Sequence, residues 1–204
     1  MGQISAIFWD VGGVLLSNAW DRVERTQALA KFGLDQDEFH DRHEMVVSSF
    51  ERGKLTLDEY LDRVIFYRTR PFSKEQFKNY MFSLSKPKQD ILDMAAVLSR
   101  SNRYLMGTIN NESKEINSYR IETFHLRQIF SIFVSSCFVG LRKPEPDIYR
   151  VALEVTQKSA DQCCFIDDRG INLEGAERLG IHTIRLENAK QLQQRLSELG
   201  VEVS

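Results

Sequence analysis

Hydrophobic positions open the chain as one run, Ile4 to Leu16, reading I-S-A-I-F-W-D-V-G-G-V-L-L. An apolar stretch interrupted by one aspartate and two glycines predicts a buried strand that delivers a carboxylate, Asp10, to the edge of a sheet. Gly12 and Gly13 then allow a sharp turn and a close approach to the backbone. After Leu16 the pattern changes: from Asn18 to about Ser83 charged residues alternate with apolar ones at helical spacing, and strand-like runs are almost absent. This predicts an inserted unit of about four helices. Two of its helix starts carry capping-box patterns, Thr56 with Glu59 and Ser73 with Gln76, each followed by apolar residues at helical spacing. Gly53 reads as a helix terminator in the turn between two of these helices.

From Lys88 onward helices and strands alternate. A helix carries Ile91, Leu92, Ala95 and Leu98, and a strand follows at Tyr104–Ile109. A helix from Ser113, an apolar segment at Ile129–Val134 and a helix at Pro146–Glu154 come next. The strand Cys163–Ile166 ends in Asp167 and Asp168, and the helix Asn172–Leu179, the strand His182–Leu186 and a last helix through Leu192 and Leu196 complete the chain. Such alternation predicts an α/β fold, a doubly wound parallel sheet built from residues 1–16 and 85–204, with residues 17–84 as a helical insertion.

Composition narrows the partners. With 27 basic and 29 acidic residues the net charge is -2, and no like-charge run is long enough for a nucleic-acid patch. No apolar run approaches the roughly 20 residues of a membrane span, and the N-terminus lacks a signal-peptide pattern. A cytoplasmic protein without nucleic-acid or membrane partners is therefore expected, its oligomeric state open. Cys137, Cys163 and Cys164 read as core thiols. His40 and His43 lie among charged residues and read as a solvated helix face, and Phe66, Phe72, Phe77 and Phe82 as the core of the insertion.

Four polar features fall just past predicted strands: Asp10; Thr108 with Asn110 and Asn111; Lys143; and the pair Asp167 and Asp168. In a parallel sheet they converge on one edge, where such folds bind ligands. Clustered carboxylates repel unless a proton or cation intervenes, which suits a hard ion such as magnesium held by oxygen. Lys143 and the Thr108 hydroxyl suit the equatorial oxygens of a phosphoryl group. Each also has a purely structural explanation: a strand-end threonine, a surface lysine before a proline, an aspartate pair capping a helix.

Taken in order, F-W-D-V-G-G-V-L at Phe8–Leu15, T-I-N-N at Thr108–Asn111, R-K-P-E-P-D-I-Y at Arg142–Tyr149 and F-I-D-D-R-G-I-N-L-E-G-A-E-R-L-G-I at Phe165–Ile181 resemble the haloacid dehalogenase-like hydrolases over nearly the whole chain. The F-D-x-G-G-V form of the first motif resembles a phosphatase-like subgroup. The resemblance implies a small helical cap over a Rossmann-like core, with Asp10 as the nucleophile of an aspartyl-phosphate intermediate. It further implies that Thr108, Asn110, Asn111 and Lys143 bind the phosphorylated substrate. Magnesium would be held by Asp10, Asp167, Asp168 and the backbone carbonyl of Gly12.

The chain departs from the family's commonest phosphatases at Gly12, where those enzymes carry a second aspartate as general acid and base. Such groups contribute about 10² to 10⁴ in rate. Three functions are compatible with the departure: a phosphatase of a small metabolite, such as a sugar phosphate, with a good leaving group or a borrowed acid; a metal-independent haloacid dehalogenase; and an impaired module that binds a phospho-ligand or a protein. Asn18, Trp20 and Arg52 are candidate helpers from the cap. The retained aspartate pair favours the magnesium-dependent phosphatase.

Overall fold

The computed structural model describes residues 2–203. Strand β1 (Ala6–Trp9) leads into four helices, α1 (Arg22–Lys31), α2 (Gln36–Glu51), α3 (Leu57–Val64) and α4 (Lys74–Ser83). The chain then alternates through α5 (Gln89–Arg100), β2 (Leu105–Asn110), α6 (Lys114–Thr123), β3 (Ile132–Ser135), α7 (Ser136–Val139), α8 (Pro146–Thr156), β4 (Cys163–Asp167), α9 (Gly170–Glu177), β5 (His182–Arg185) and α10 (Ala189–Glu198). The five strands are parallel in the order β3-β2-β1-β4-β5. The order reverses direction between β1 and β4, the crevice where doubly wound sheets bind ligands.

Alternation along the strands splits the core in two. Ile7, Trp9, Cys164 and Ile166 face the layer containing α5 and α10, whereas Ala6, Phe8, Cys163 and Phe165 face α8 and α9. Burial on both faces explains why β1 and β4 read as continuous apolar runs. Cys163 and Cys164 are buried and Cys137 half-buried, all three as free thiols. Strand β3 begins later than the apolar segment suggests, because Ile129 and Phe130 precede it and Phe130 packs edge-on against Trp9 at 6.5 Å between ring centroids.

Helices α1 to α4 share an apolar core that includes Phe39, Phe50, Tyr60 and Phe77 and takes in Ile116 of α6. Both capping boxes form: Thr56 Oγ1 accepts from Glu59 N at 3.2 Å and Ser73 Oγ from Gln76 N at 3.1 Å. His43 corrects the expectation of a solvated face. It is buried, stacked on Phe39, and its Nδ1 lies 2.7 Å from the Tyr60 hydroxyl. Burial lowers its pKa to about 3, with Arg25 adding to the shift, which keeps the ring neutral. Phe39, His43 and Phe50 share the inward stripe of α2, and that periodicity outweighs their charged neighbours in sequence.

The two connections between the helical unit and the sheet run side by side. Ser17 N donates to Lys86 O at 2.8 Å, and Ser17 Oγ donates to Leu84 O at 2.7 Å. Arg120 of α6 binds both, through Nε to Ser85 Oγ at 3.2 Å and through Nη2 to the Ser17 carbonyl. Among the described residues no helix is long and apolar enough to cross a membrane.

Candidate active site

Strand termination places the carboxylates. Asp10 follows β1, with its amide donating to Ile166 O at 2.8 Å and its Oδ1 accepting from Val11 N at 2.8 Å. Asp167 is the last residue of β4, and Asp168 follows it. One oxygen from each of Asp10, Asp167 and Asp168 lies within 4.8 Å of the others. Lys143, from the loop before α8, enters this group with Nζ 2.9 Å from Asp10 Oδ1 and 2.6 Å from Asp167 Oδ2. Asp10, Lys143 and Asp167 are 7 %, 4 % and 0 % exposed.

One cation among three carboxylates leaves an excess of buried negative charge. Burial pushes the pKa of Asp10 upward, Lys143 opposes the shift, and Asp167 and Asp168 add to it. Burial and Asp167 likewise raise Asp168. The three acids differ in how far they are already satisfied. Asp167 accepts from Lys143, from the Arg169 amide at 2.8 Å and from Asn172 Nδ2 at 3.1 and 3.0 Å. Asp168 Oδ1, by contrast, is buried without a hydrogen-bond partner. An oxygen-rich, over-negative cluster with an unsatisfied carboxylate oxygen fits a hard divalent cation. Gly13 makes the arrangement possible: its φ is +79°, and a Cβ there would lie 2.3 Å from Asp168 Oδ2.

Above the cluster lies a cavity of about 260 Å³ between sheet and helical unit. Asp10, Gly12, Asn111 and Lys143 line its floor, and Asn18, Trp20, Asp21, Arg25 and Glu51 its opposite wall. Ion pairs hold the two sides together: Arg142 with Glu51 at 2.6 Å, Arg169 with Asp21, and Arg52 with Glu145.

The structure does not bring all of the expected residues to this cavity. Thr108 is wholly buried and absent from its lining, because β2 continues to Asn110 and keeps Thr108 inside the sheet opposite Trp9. Asn110 points away as well: its Nδ2 donates to Asn117 at 3.0 Å, and its Oδ1 accepts from Ser135 Oγ at 2.8 Å. Neither side chain lines the cavity. From this segment it is Asn111 that reaches the cavity, and its amide fixes the lysine loop by accepting from Lys143 N at 2.8 Å and donating to Lys143 O at 2.9 Å. Of the candidate cap helpers, Asn18 and Trp20 line the cavity, whereas Arg52 is turned to Glu145 and the Gly140 carbonyl. Glu112, Arg142 and Arg169 also line it and were not singled out from sequence. The polar residue Glu112 directly after the T-I-N-N segment was the available signal.

Comparison with known proteins places this geometry. A model of haloacid dehalogenase-like hydrolases matches residues 4–180. Flavin mononucleotide hydrolase 1 of Arabidopsis thaliana is 28 % identical over 94 % of this chain and 79 % of its own length. D-ribitol-5-phosphate phosphatase of Bacteroides thetaiotaomicron is 25 % identical over 96 % of this chain and 98 % of its own. A HAD family enzyme of the same organism, solved in complex with magnesium and inorganic phosphate, superimposes with a TM-score of 0.71 at 24 % identity, covering 90 % of this chain and 94 % of its own.

Proposed function

The chain belongs to the haloacid dehalogenase-like hydrolases, and we propose that it is a magnesium-dependent phosphatase of a small sugar or sugar-alcohol phosphate, with Asp10 as nucleophile. The observation that carries this reading is the cluster of Asp10, Lys143, Asp167 and Asp168, of which Asp10 and Lys143 line the floor of the cavity. Both contacts of Asp10 fall on Oδ1, which leaves Oδ2 to attack phosphorus. Lys143, steered by Asp167 and Asn111, offers its ammonium to the phosphoryl oxygens. Attack forms an aspartyl phosphate, and water then opens it, which divides one difficult displacement into two easier ones. Asp10, Asp168 and the Gly12 carbonyl would hold magnesium, with Asp167 beside them. When bound, the ion offsets repulsion between the carboxylate and the phosphate.

The wall of the cavity supports a polyhydroxylated substrate. Asn18, Asp21, Arg25 and Glu51 are all hydrogen-bonding groups, and a volume of about 260 Å³ suits a sugar better than a flavin nucleotide. The test is a screen of phosphate esters, including D-ribitol 5-phosphate and flavin mononucleotide, with magnesium and with chelator. Turnover is expected only with magnesium and not in Asp10→Asn. Full activity of Asp10→Asn, or metal-independent turnover of a 2-haloacid in place of phosphate esters, refutes the assignment.

A further inference from the structure

Hydrolysis of an alkyl phosphate through a covalent intermediate moves a proton twice, once to the leaving alkoxide and once from the attacking water. Asp10 is occupied as the nucleophile, and Lys143 is fixed between Asp10 and Asp167. Gly12 has no side chain to offer. The space beside it is shared by Arg120 and Asn18, whose Nη1 and Oδ1 each lie 3.4 Å from where a Cβ on Gly12 would stand. Arg120 Nη1 is also 3.0 Å from Glu112 Oε2.

Besides Asp10, three acids line the cavity: Asp21, Glu51 and Glu112. Asp21 is paired with Arg169 and Glu51 with Arg142, each across the gap between helical unit and sheet. Glu112 stands on the sheet side, just beyond β2, with its side chain 11 % exposed and, among the described residues, its only ionic partner the arginine that flanks Gly12. We propose that Glu112 is the general acid and base of this site, an assignment that rests on the phosphatase function above.

The surroundings of Glu112 suit the role. Burial raises its pKa to about 7, Arg120 pulls it down, Glu51 and Asp21 add to the rise, and the Ser113 amide lowers it. Cys137 faces it from α7 and remains a neutral thiol, itself pushed up to about 12. A carboxyl group near neutrality holds a proton for the first step and accepts one in the second. Arg120 is anchored to Ser17 and Ser85, so its charge is in place when Glu112 becomes anionic.

In the first step the Asp10 carboxylate bonds to phosphorus, the ester P–O bond breaks, and the Glu112 proton goes to the departing oxygen to give the alcohol. In the second step the Glu112 carboxylate takes a proton from water as the water oxygen bonds to phosphorus. The bond from phosphorus to Asp10 then breaks, its electron pair returning to that carboxylate. Phosphate leaves and Glu112 is protonated again.

Glycerol 2-phosphate and 4-nitrophenyl phosphate test this, because they share the phosphoryl group but differ in the need for a proton on the leaving oxygen. Glu112→Gln is expected to lower kcat/KM for glycerol 2-phosphate by about 10² or more while changing that for 4-nitrophenyl phosphate far less. With the nitrophenyl ester the variant should release a burst approaching one nitrophenolate per enzyme and then turn over slowly, because the base for the second step is gone. Equal losses on both esters without a burst, or glycerol 2-phosphate turnover within threefold of wild type, would overturn the assignment. Should the variant not fold, the wild-type pH profile decides. An alkaline limb near pH 7 must appear in kcat/KM for glycerol 2-phosphate and be missing for the nitrophenyl ester; identical profiles overturn the proposal. Absence of any magnesium-dependent phosphatase activity in wild type fails the underlying function instead.

Discussion

Replacing Lys143 by methionine tests the electrostatics of the whole site. The ammonium sits 2.9 Å from Asp10 Oδ1 and 2.6 Å from Asp167 Oδ2, with all three groups buried. Methionine keeps much of the stem volume and removes the charge that Asp10 and Asp167 share. Breaking a buried pair by deleting one partner costs about 3–5 kcal/mol. The lower end is expected here, because Asp10 is already shifted toward protonation and takes up a proton when its counter-charge is lost. Asp167 still keeps its bonds from Arg169 N and Asn172. Urea unfolding of Lys143→Met in chelator should therefore show a loss of about 3 kcal/mol. Magnesium should return much of it: a ligand at 100 times its Kd stabilises by about 2.7 kcal/mol, and all three carboxylates of the cluster remain in the variant. Hydrolysis should be lost even with the metal bound, since the phosphoryl oxygens lack their ammonium. A loss below about 1 kcal/mol in chelator, or one that magnesium leaves unchanged, would refute the picture of a buried, charge-unbalanced cluster awaiting a cation.

Two further outcomes follow from particular contacts. Gly13→Ala places a Cβ 2.3 Å from Asp168 Oδ2 at a φ of +79°; displacing that carboxylate should weaken magnesium binding by about tenfold or more, read by calorimetric titration, and wild-type affinity would show that Asp168 is not a ligand. His43 has a folded pKa of about 3 against its usual 6.5, so between these values the unfolded chain binds the proton that the folded chain excludes. Stability should fall as pH drops below 6.5, by at most about 1.4 kcal/mol per pH unit. His43→Gln should flatten that slope in urea unfolding, and equal slopes in the two proteins would remove His43 as the cause.

What was legible in the sequence was local. The alternation of strands and helices, the capping boxes at Thr56 and Ser73, and the carboxylates after β1 and β4 are each written within about a dozen neighbouring residues, where backbone propensity and period decide. Asp10 and the pair Asp167 and Asp168 could be placed because a strand buried on both faces ends abruptly in polar residues. The end of β2 was not marked in this way. Thr108 already falls inside the strand read from sequence and is an interior residue paired opposite Trp9, and one further residue of pairing carries β2 to Asn110, leaving Asn111 to face the cavity.

The remaining features depend on distance through space. His43 reads as charged surface until α3 lays Tyr60 against it. Arg120 gains its partners from Ser17, Ser85 and Glu112, segments far apart in sequence that meet only because the helical unit leaves and rejoins the sheet beside α6. The sequence by itself determined the fold, its family motifs and the identity of the central carboxylate, since these follow from local pattern. Only the tertiary structure decided which charges share a low-dielectric cavity, because burial and pairing are properties of the assembled packing and not of any one segment.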